Sequence, residues 1–238
     1  MQAQPTGTLF LVPTVLAEDT AAVVIPPQVI AEVANLTYFI VENARTARRY
    51  IKSIAPEKII EELQIVVIDK DSSETEVKKA LEPVKNGVSA GIISEAGCPG
   101  VADPGAEVVK FAHRQGIKVV PLVGPSAILL ALMGSGFNGQ SFAFHGYLPI
   151  EKKDRIAAIR NLEKEMLQRD QTQIFMETPY RNNQFLQDLT QHLTPTLRLC
   201  IAANITAPNQ LIRTDTVANW KKNLPDLHKQ PAVFLLYK

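Results

Sequence analysis

The chain has 238 residues, 46% hydrophobic and 21% charged, which suits one large core or two smaller ones and is too apolar for a disordered chain. Lys and Arg number 25 against 24 Asp and Glu, so a net charge of +1 leaves no global field for nucleic acid, and any RNA contact must use a local patch. The longest apolar run, 127–133, is far short of the ~20 residues that cross a bilayer, residues 9–16 have no Lys or Arg before them and contain Pro13, unlike a secretory leader, and two distant cysteines with four scattered histidines predict a cytoplasmic chain without disulfide or metal.

In chain order, short β-rich runs alternate with amphipathic helical stretches, the pattern of βα units and a mostly parallel sheet. Residues 9–13 read as a strand and 28–36 as a helix entered at Pro26 and Pro27, with Val29, Ile30, Val33 and Leu36 on one face. Strands follow at 37–41 and 65–68. Ser73 and Glu76 have capping-box spacing and predict a helix ending near Gly87. Residues 88–94 carry no charge and read as a strand buried on both faces. Asp103 and Pro104 open the next helix as N-cap and first-turn residue, and Gly116 closes it. After a strand at 117–122, the turn Val123-Gly124-Pro125-Ser126 starts a strongly apolar helix and the chain changes character. The boundary is placed there, with an N-terminal α/β domain over 1–122 and a C-terminal α/β domain over 123–238. In the second, strands at 142–147, 172–177 and 197–203 alternate with helices at 152–168 and 180–193. Strands at 210–214 and 232–237 flank a short helix around Trp220. No crossover helix fits between 203 and 210, so that pair predicts a hairpin and a mixed sheet.

The most unusual stretch is 94–105, Ser-Glu-Ala-Gly-Cys-Pro-Gly-Val-Ala-Asp-Pro-Gly, which leaves the carboxyl end of a buried strand and feeds a helix N-terminus. Open α/β sheets bind ligands there. Gly97, Gly100 and Gly105 allow conformations and close approaches denied to other residues, and a helix start offers amides to an anion. An ordinary capped turn is the plain alternative. A second glycine turn, 124–127, stands in the same relation to the next strand and helix, so both loops are expected to face one cleft between the domains. Residues 145–149, His-Gly-Tyr-Leu-Pro, follow the first strand of the second domain. No P-loop, dinucleotide fingerprint or G-x-S-x-G elbow occurs, which removes those phosphoryl-transfer, dinucleotide and serine-hydrolase readings.

Runs 94–105, 119–127 and 142–149 resemble, in order and spacing, the S-D-A-G-T-P-x-x-x-D-P-G, V-V-P-x-P-G-x-S/C/A-A and E-G-F-L-P stretches of the tetrapyrrole methylases, in their branch of ribosomal small-subunit RNA (cytidine-2′-O)-methyltransferases. Residues 11–14 resemble that branch's first strand, 41–45 its A-E-D-T-R and 175–181 its F-Y-E-S/A-x-H-R, so the likeness covers nearly the whole chain. The resemblance implies a two-domain α/β methyltransferase, a homodimer, with S-adenosyl-L-methionine in the cleft between the domains and ribosomal RNA or the small ribosomal subunit as partner. Its cofactor-binding candidates are Ser94, Glu95, Ala96, Gly97, Asp103, Pro104, Gly105, Ser126, Ala127, Tyr147 and Leu148. Amides near Asp103 to Gly105 or Ser126 suit the cofactor's carboxylate, loop carbonyls its sulfonium methyl, and Ala127, Ile128, Tyr147 and Leu148 an adenine slot. Glu95 adds negative charge or is simply solvated, and the apolar four are otherwise core.

The chain also departs from that branch. Its P-I-G-N-L-x-D-I-T turn is replaced by Val15-Leu16-Ala17-Glu18-Asp19-Thr20, its A-R-E-L-T-K by Ala202-Ala203-Asn204-Ile205-Thr206-Ala207, and its G-E-M by Gln230-Pro231-Ala232. Candidate RNA-binding cations are Arg45, Arg48, Arg49 and Lys52 on one helix and Lys152, Lys153 and Arg155 on another, each set being otherwise a solvated face. Glu177 and Arg181 are the catalytic candidates, Glu177 to orient or deprotonate a ribose hydroxyl and Arg181 to hold a phosphate or the glutamate. Four residues apart, they are equally suited to pairing with each other. The competing functions are a small-molecule, tetrapyrrole-type methyltransferase and a cofactor-binding protein without turnover.

Overall fold

The computed structural model describes residues 6–238, and the chain divides after Ser126 into two compact units. In the first, β1 (Thr8–Leu11), β2 (Tyr38–Val41), β3 (Gln64–Val67), β4 (Ala90–Ile93) and β5 (Lys118–Pro121) form a parallel sheet in the order β3-β2-β4-β1-β5. From β1 the chain moves out to β2 and β3, returns to β4 beside β1, and finishes at β5 on the other side of β1. The carboxyl ends of β1 and β4 thus lie where the winding reverses, the usual ligand position of such a sheet.

Period-two burial explains the layers. Phe39 and Val41 of β2 pack with Val29 and Val33 of α2 (Pro27–Asn35) and Ile51 of α3 (Ala44–Ile54). Tyr38 and Ile40 point the other way, against Val77 and Leu81 of α4 (Glu74–Lys85) and Val108 and Phe111 of α5 (Gly105–Arg114). The helix starts are set by side chains. Asn43 accepts from the amides of Arg45 at 2.9 Å and Thr46 at 3.3 Å, and Ser73 and Glu76 exchange hydrogen bonds as the expected capping box. A single-turn helix, α1 (Ala21–Val24), follows the segment 15–20 that departs from the resembled branch, and the sequence pattern predicts no helix there.

In the second unit, α6 (Ala127–Ser135) precedes a sheet of β6 (Phe142–Tyr147), β7 (Thr172–Glu177), β8 (Arg198–Ala203), β9 (Leu211–Thr216) and β10 (Ala232–Tyr237), in the order β6-β7-β10-β8-β9. β6 and β7 are parallel and the other pairs antiparallel, so the sheet is mixed and β8 and β9 pair as the sequence predicts. Against it pack α7 (Lys152–Arg169), α8 (Asn182–His192) and α9 (Val217–Lys222), around stacked and edge-on Phe175, Phe185 and Phe234. Trp220 is buried, its indole N–H donating to the Leu199 carbonyl at 2.8 Å.

The unit boundary falls after Ser126 and not after Leu122. The intervening loop is tied to the first sheet: the Leu122 amide donates to Leu11 at 3.0 Å, and the Cys98 thiol lies 3.4 Å from the Pro125 carbonyl.

Candidate functional site

Three loops meet at the carboxyl edge of the parallel sheet. The Thr14 amide, just past β1, donates to the Gly97 carbonyl at 2.8 Å, and Gly97 approaches the Pro125 carbonyl closely. Gly97 holds φ at +74°, where a side chain is strained. Gly124 has no room for one: a Cβ there would stand 2.1 Å from the Pro13 Cβ. The glycine turns at 94–105 and 124–126 therefore converge within the first unit.

Asp103 takes a different role from the one expected. The helix begins at Gly105 with Pro104 at the N-cap position, and the Asp103 carboxylate accepts from the Gly105 amide at 2.7 Å and the Gly100 amide at 2.9 Å. Both donors are thus held by the chain's own carboxylate, and a cofactor carboxylate at Asp103 to Gly105 would compete with Asp103 for them. Gly105 matters for space: a Cβ there would meet Asp103 Oδ1 at 2.7 Å.

The edge is acidic. Glu42, at the end of β2, accepts from the Glu95 amide at 3.1 Å. Its carboxyl is pushed above the ordinary 4.5, first by burial and then by the negative charges of Glu95, Asp103 and Asp69, against the lowering effect of that amide. Burial also raises the Cys98 thiol, with Asp103 adding to it, so this cysteine is no ready thiolate. Ser94 and Thr14 are buried, and neither side-chain hydroxyl has a hydrogen-bond partner. Both line a cavity of about 540 Å³ with Glu95 and Ala96. The sequence marked Thr14 only within the 11–14 stretch that resembles the branch's first strand, and not as a site residue.

The remaining candidates lie in the second unit, apart from Ser126, which closes the first. Ala127 starts α6, and Tyr147 ends β6 with 59% of its surface exposed. Leu148 belongs to the hydrophobic core, the packing role that stood beside the adenine slot as its alternative. Glu177, at the end of β7, is buried. Its Oε1 accepts from the Thr178 amide and from Arg181 Nη2 at 2.6 Å, and that bond raises the Arg181 pKa. The carboxylate therefore holds the guanidinium, whose Nε is buried without a partner.

Next to this pair along the chain is the amide of Asn182, and Asn204 stands where the resembled branch has a glutamate. Asn182 Nδ2 donates to the Gln230 carbonyl at 2.6 Å and Asn204 Nδ2 to Gln230 Oε1 at 2.7 Å. Asn204 and Thr206 both adopt positive φ, 50° and 73°, a strained state for a β-branched threonine.

Of the basic runs, Arg45 and Arg48 are exposed and make no side-chain hydrogen bond or ion pair among the described residues. Arg49 pairs with Glu18 at 3.1 Å, and Lys52 donates to the Pro56 and Lys58 carbonyls. Lys152 and Lys153 are exposed. Arg155 is not: it is buried against Asp188 at 2.7 Å and donates to the Pro149 and Ile150 carbonyls, which removes it from the cationic patch. Among the described residues no three His, Cys, Asp or Glu are grouped to hold a metal, and no helix is long and apolar enough to cross a membrane.

Residues 17–220 match the model of the tetrapyrrole (corrin/porphyrin) methylases. The chain is 25% identical over 234 residues to a Buchnera aphidicola (subsp. Schizaphis graminum) protein named ribosomal RNA small subunit methyltransferase I, covering 97% of this chain and 78% of that one. It is 36% identical over 132 residues to the Bacillus subtilis protein of that name, covering 56% of this chain and 44% of the relative. The chain thus spans about half the length of several such relatives. Among solved structures, the methyltransferase CobJ superposes with a TM-score of 0.64 at 19% identity, over 98% of this chain and 95% of that one. A diphthine synthase gives 0.66 at 14%, over 97% and 89%. At such identities these likenesses describe the fold.

Proposed function

Because the chain belongs to the tetrapyrrole methylase family, we propose that it is an S-adenosylmethionine-dependent methyltransferase whose acceptor is a ribose 2′-hydroxyl in small-subunit ribosomal RNA. The observation that carries this reading is the acidic, glycine-turned edge formed by Glu42, Glu95 and residues 94–105 at the carboxyl ends of β1 and β4. When bound, S-adenosylmethionine would supply a methyl group on a cationic sulfur for in-line transfer to the ribose oxygen, the S–C bond breaking as the C–O bond forms, with S-adenosylhomocysteine as leaving group and the hydroxyl proton passing to water.

The chain's part is mainly alignment. Glu42, Glu95 and Asp103 give the edge a field that favours a cationic group. Gly97 and Gly100, both at positive φ, let loop carbonyls turn toward a ligand, and Asp103 fixes the loop through the amides it holds. Ser126 and Ala127 flank the start of α6, and in the second unit Tyr147 presents an exposed ring at the end of β6. In the second unit Glu177 orients Arg181, leaving that guanidinium to meet a phosphate of the acceptor strand. The exposed Leu129 and Met133 on α6 support a homodimer as the working form, and a ribosomal acceptor implies the cytoplasm.

Calorimetry with S-adenosylmethionine and S-adenosylhomocysteine, together with transfer of labelled methyl to undermethylated small subunits, free RNA and a tetrapyrrole, tests the reading. Binding and transfer to the ribosomal acceptor are expected. Neither heat nor a raised melting temperature at about millimolar ligand would remove the cofactor, because native-state binding must stabilise by mass action. Transfer to the tetrapyrrole alone would replace the acceptor.

A further inference from the structure

The cavity beside β1 carries two buried hydroxyls without partners. Its volume of about 540 Å³ is that of a small-molecule site, and it lies wholly within the first unit, walled by the segment after β1, α1, α3 and Ser94 to Ala96. Two of its lining residues, Thr14 at 3% exposure and Ser94 at 7%, carry hydroxyls without a hydrogen-bond partner. Buried polar groups are almost always satisfied, and one left unmade costs about 1–3 kcal/mol, so a pair at one cavity points to a ligand that satisfies them.

Charge restricts what that ligand is. The cavity is lined by the carboxylates of Glu18, Asp19 and Glu95 against one cation, Arg49, which Glu18 already neutralises at 3.1 Å. A phosphate is repelled from such a place, whereas amino and hydroxyl groups are welcome. Leu16 and Ala47 add apolar surface for a flat ring. On the same helix that lines the cavity, α3, the exposed Arg45 and Arg48 stand outside it with uncommitted guanidinium groups. Of the expected cofactor residues only Ser94, Glu95 and Ala96 reach this cavity, while Gly97, Asp103, Pro104, Gly105 and Ser126 do not.

Resting on the methyltransferase reading above, we propose that this cavity receives the acceptor nucleoside's base, turned out of its strand, with Thr14 and Ser94 on its hydrogen-bonding edge and the flanking phosphates outside on Arg45 and Arg48. Bases in single-stranded RNA are commonly recognised splayed out of the strand and hydrogen-bonded on their edges, and uncharged heterocycle inside with phosphate outside matches the division of charge.

The test uses the full chain, the four free ribonucleosides as probes, and S-adenosylhomocysteine as an independent ligand. Two variants probe the cavity: Thr14→Val removes one hydroxyl, and Ala22→Phe fills space from an exposed position on α1. At least one ribonucleoside is expected to bind wild type by ligand-observed NMR, and each variant to weaken it by about tenfold or more, the equivalent of one buried hydrogen bond or of lost space. S-adenosylhomocysteine affinity and melting temperature are expected to hold, which shows that the variants fold. Loss of S-adenosylhomocysteine with nucleoside binding intact would assign the cavity to the cofactor and overturn the proposal. So would nucleoside binding unchanged in both variants, or no wild-type binding of any nucleoside at about 20 mM, well beyond the affinity of a specific pocket. A wild type that binds nucleoside but not S-adenosylhomocysteine would instead sink the methyltransferase reading and leave the cavity's occupant in place.

Discussion

Replacing Arg155 separates a structural cation from an RNA-binding one. Its side chain is 9% exposed and that of Asp188 is 1% exposed. Arg155 Nε donates to Asp188 Oδ2 at 2.9 Å and Nη2 pairs with the same oxygen at 2.7 Å, and among the described residues the only other side-chain donor to that carboxylate is Gln184 Nε2 at 3.3 Å. Arg155→Met keeps most of the apolar stem and strands a buried carboxylate, for which the expected loss is about 3–5 kcal/mol. The freed carbonyls of Pro149 and Ile150 belong to exposed residues, so water replaces Arg155 there and adds little. Adding Asp188→Leu removes the stranded charge, and the double variant is expected within about 1–2 kcal/mol of wild type, because apolar replacements of buried pairs are often neutral. Urea unfolding followed by Trp220, the chain's single tryptophan and a buried residue of the second unit, reads that unit directly. RNA affinity of the double variant should match wild type, whereas Lys152→Ala with Lys153→Ala should weaken RNA binding in a salt-dependent way. A loss below about 1 kcal/mol in Arg155→Met, combined with weakened RNA binding, would refute the structural assignment.

Three further outcomes follow from the same geometry. The Glu42 carboxyl titrates above 4.5, so the native state holds that proton more tightly than the unfolded chain does, and stability contributed at this site falls as pH rises from 4.5 through the raised value. Glu42→Gln should therefore be more stable than wild type at neutral pH and lose that advantage below 4.5, in urea titrations at several pH values; a pH-independent difference would remove the linkage. Gly124→Ala puts a methyl 2.1 Å from the Pro13 Cβ, where a rigid ring cannot rotate away, and should cost about 1–3 kcal/mol by denaturation and weaken S-adenosylhomocysteine binding; unchanged values would mean that the two loops do not set each other's position. Glu177→Gln should leave S-adenosylhomocysteine affinity intact, raise KM for the RNA acceptor more than it lowers kcat, and thereby mark a positioning residue; a fall in kcat alone would favour proton removal by Glu177.

What was legible in the sequence is what neighbours along the chain decide. The Ser73 and Glu76 capping box, Pro27 at a helix start and the β8–β9 pairing follow from spacings of a few residues, and each appears where expected. Arg155 shows the limit: in the run Glu-Lys-Lys-Asp-Arg it reads as one more solvated charge, and its burial is decided by Asp188, 33 residues later. The pairing of Glu177 with Arg181 was visible as a four-residue spacing. That Glu177 would also be buried depended on β10, whose Ala232 lies opposite it in the sheet.

Asp103 carries the most consequence. An Asp-Pro-Gly before a helix announces an anion-friendly N-terminus, yet here the anion is the chain's own, holding the Gly100 and Gly105 amides. A helix start satisfied internally has little left to offer a second carboxylate. With Asp103 in place beside Glu42 and Glu95, the same edge becomes negative, and its preference turns from an anion to a cation. A ligand carrying both a carboxylate and a sulfonium would accordingly be favoured with its cationic sulfur at the glycine loop and its carboxylate on donors elsewhere.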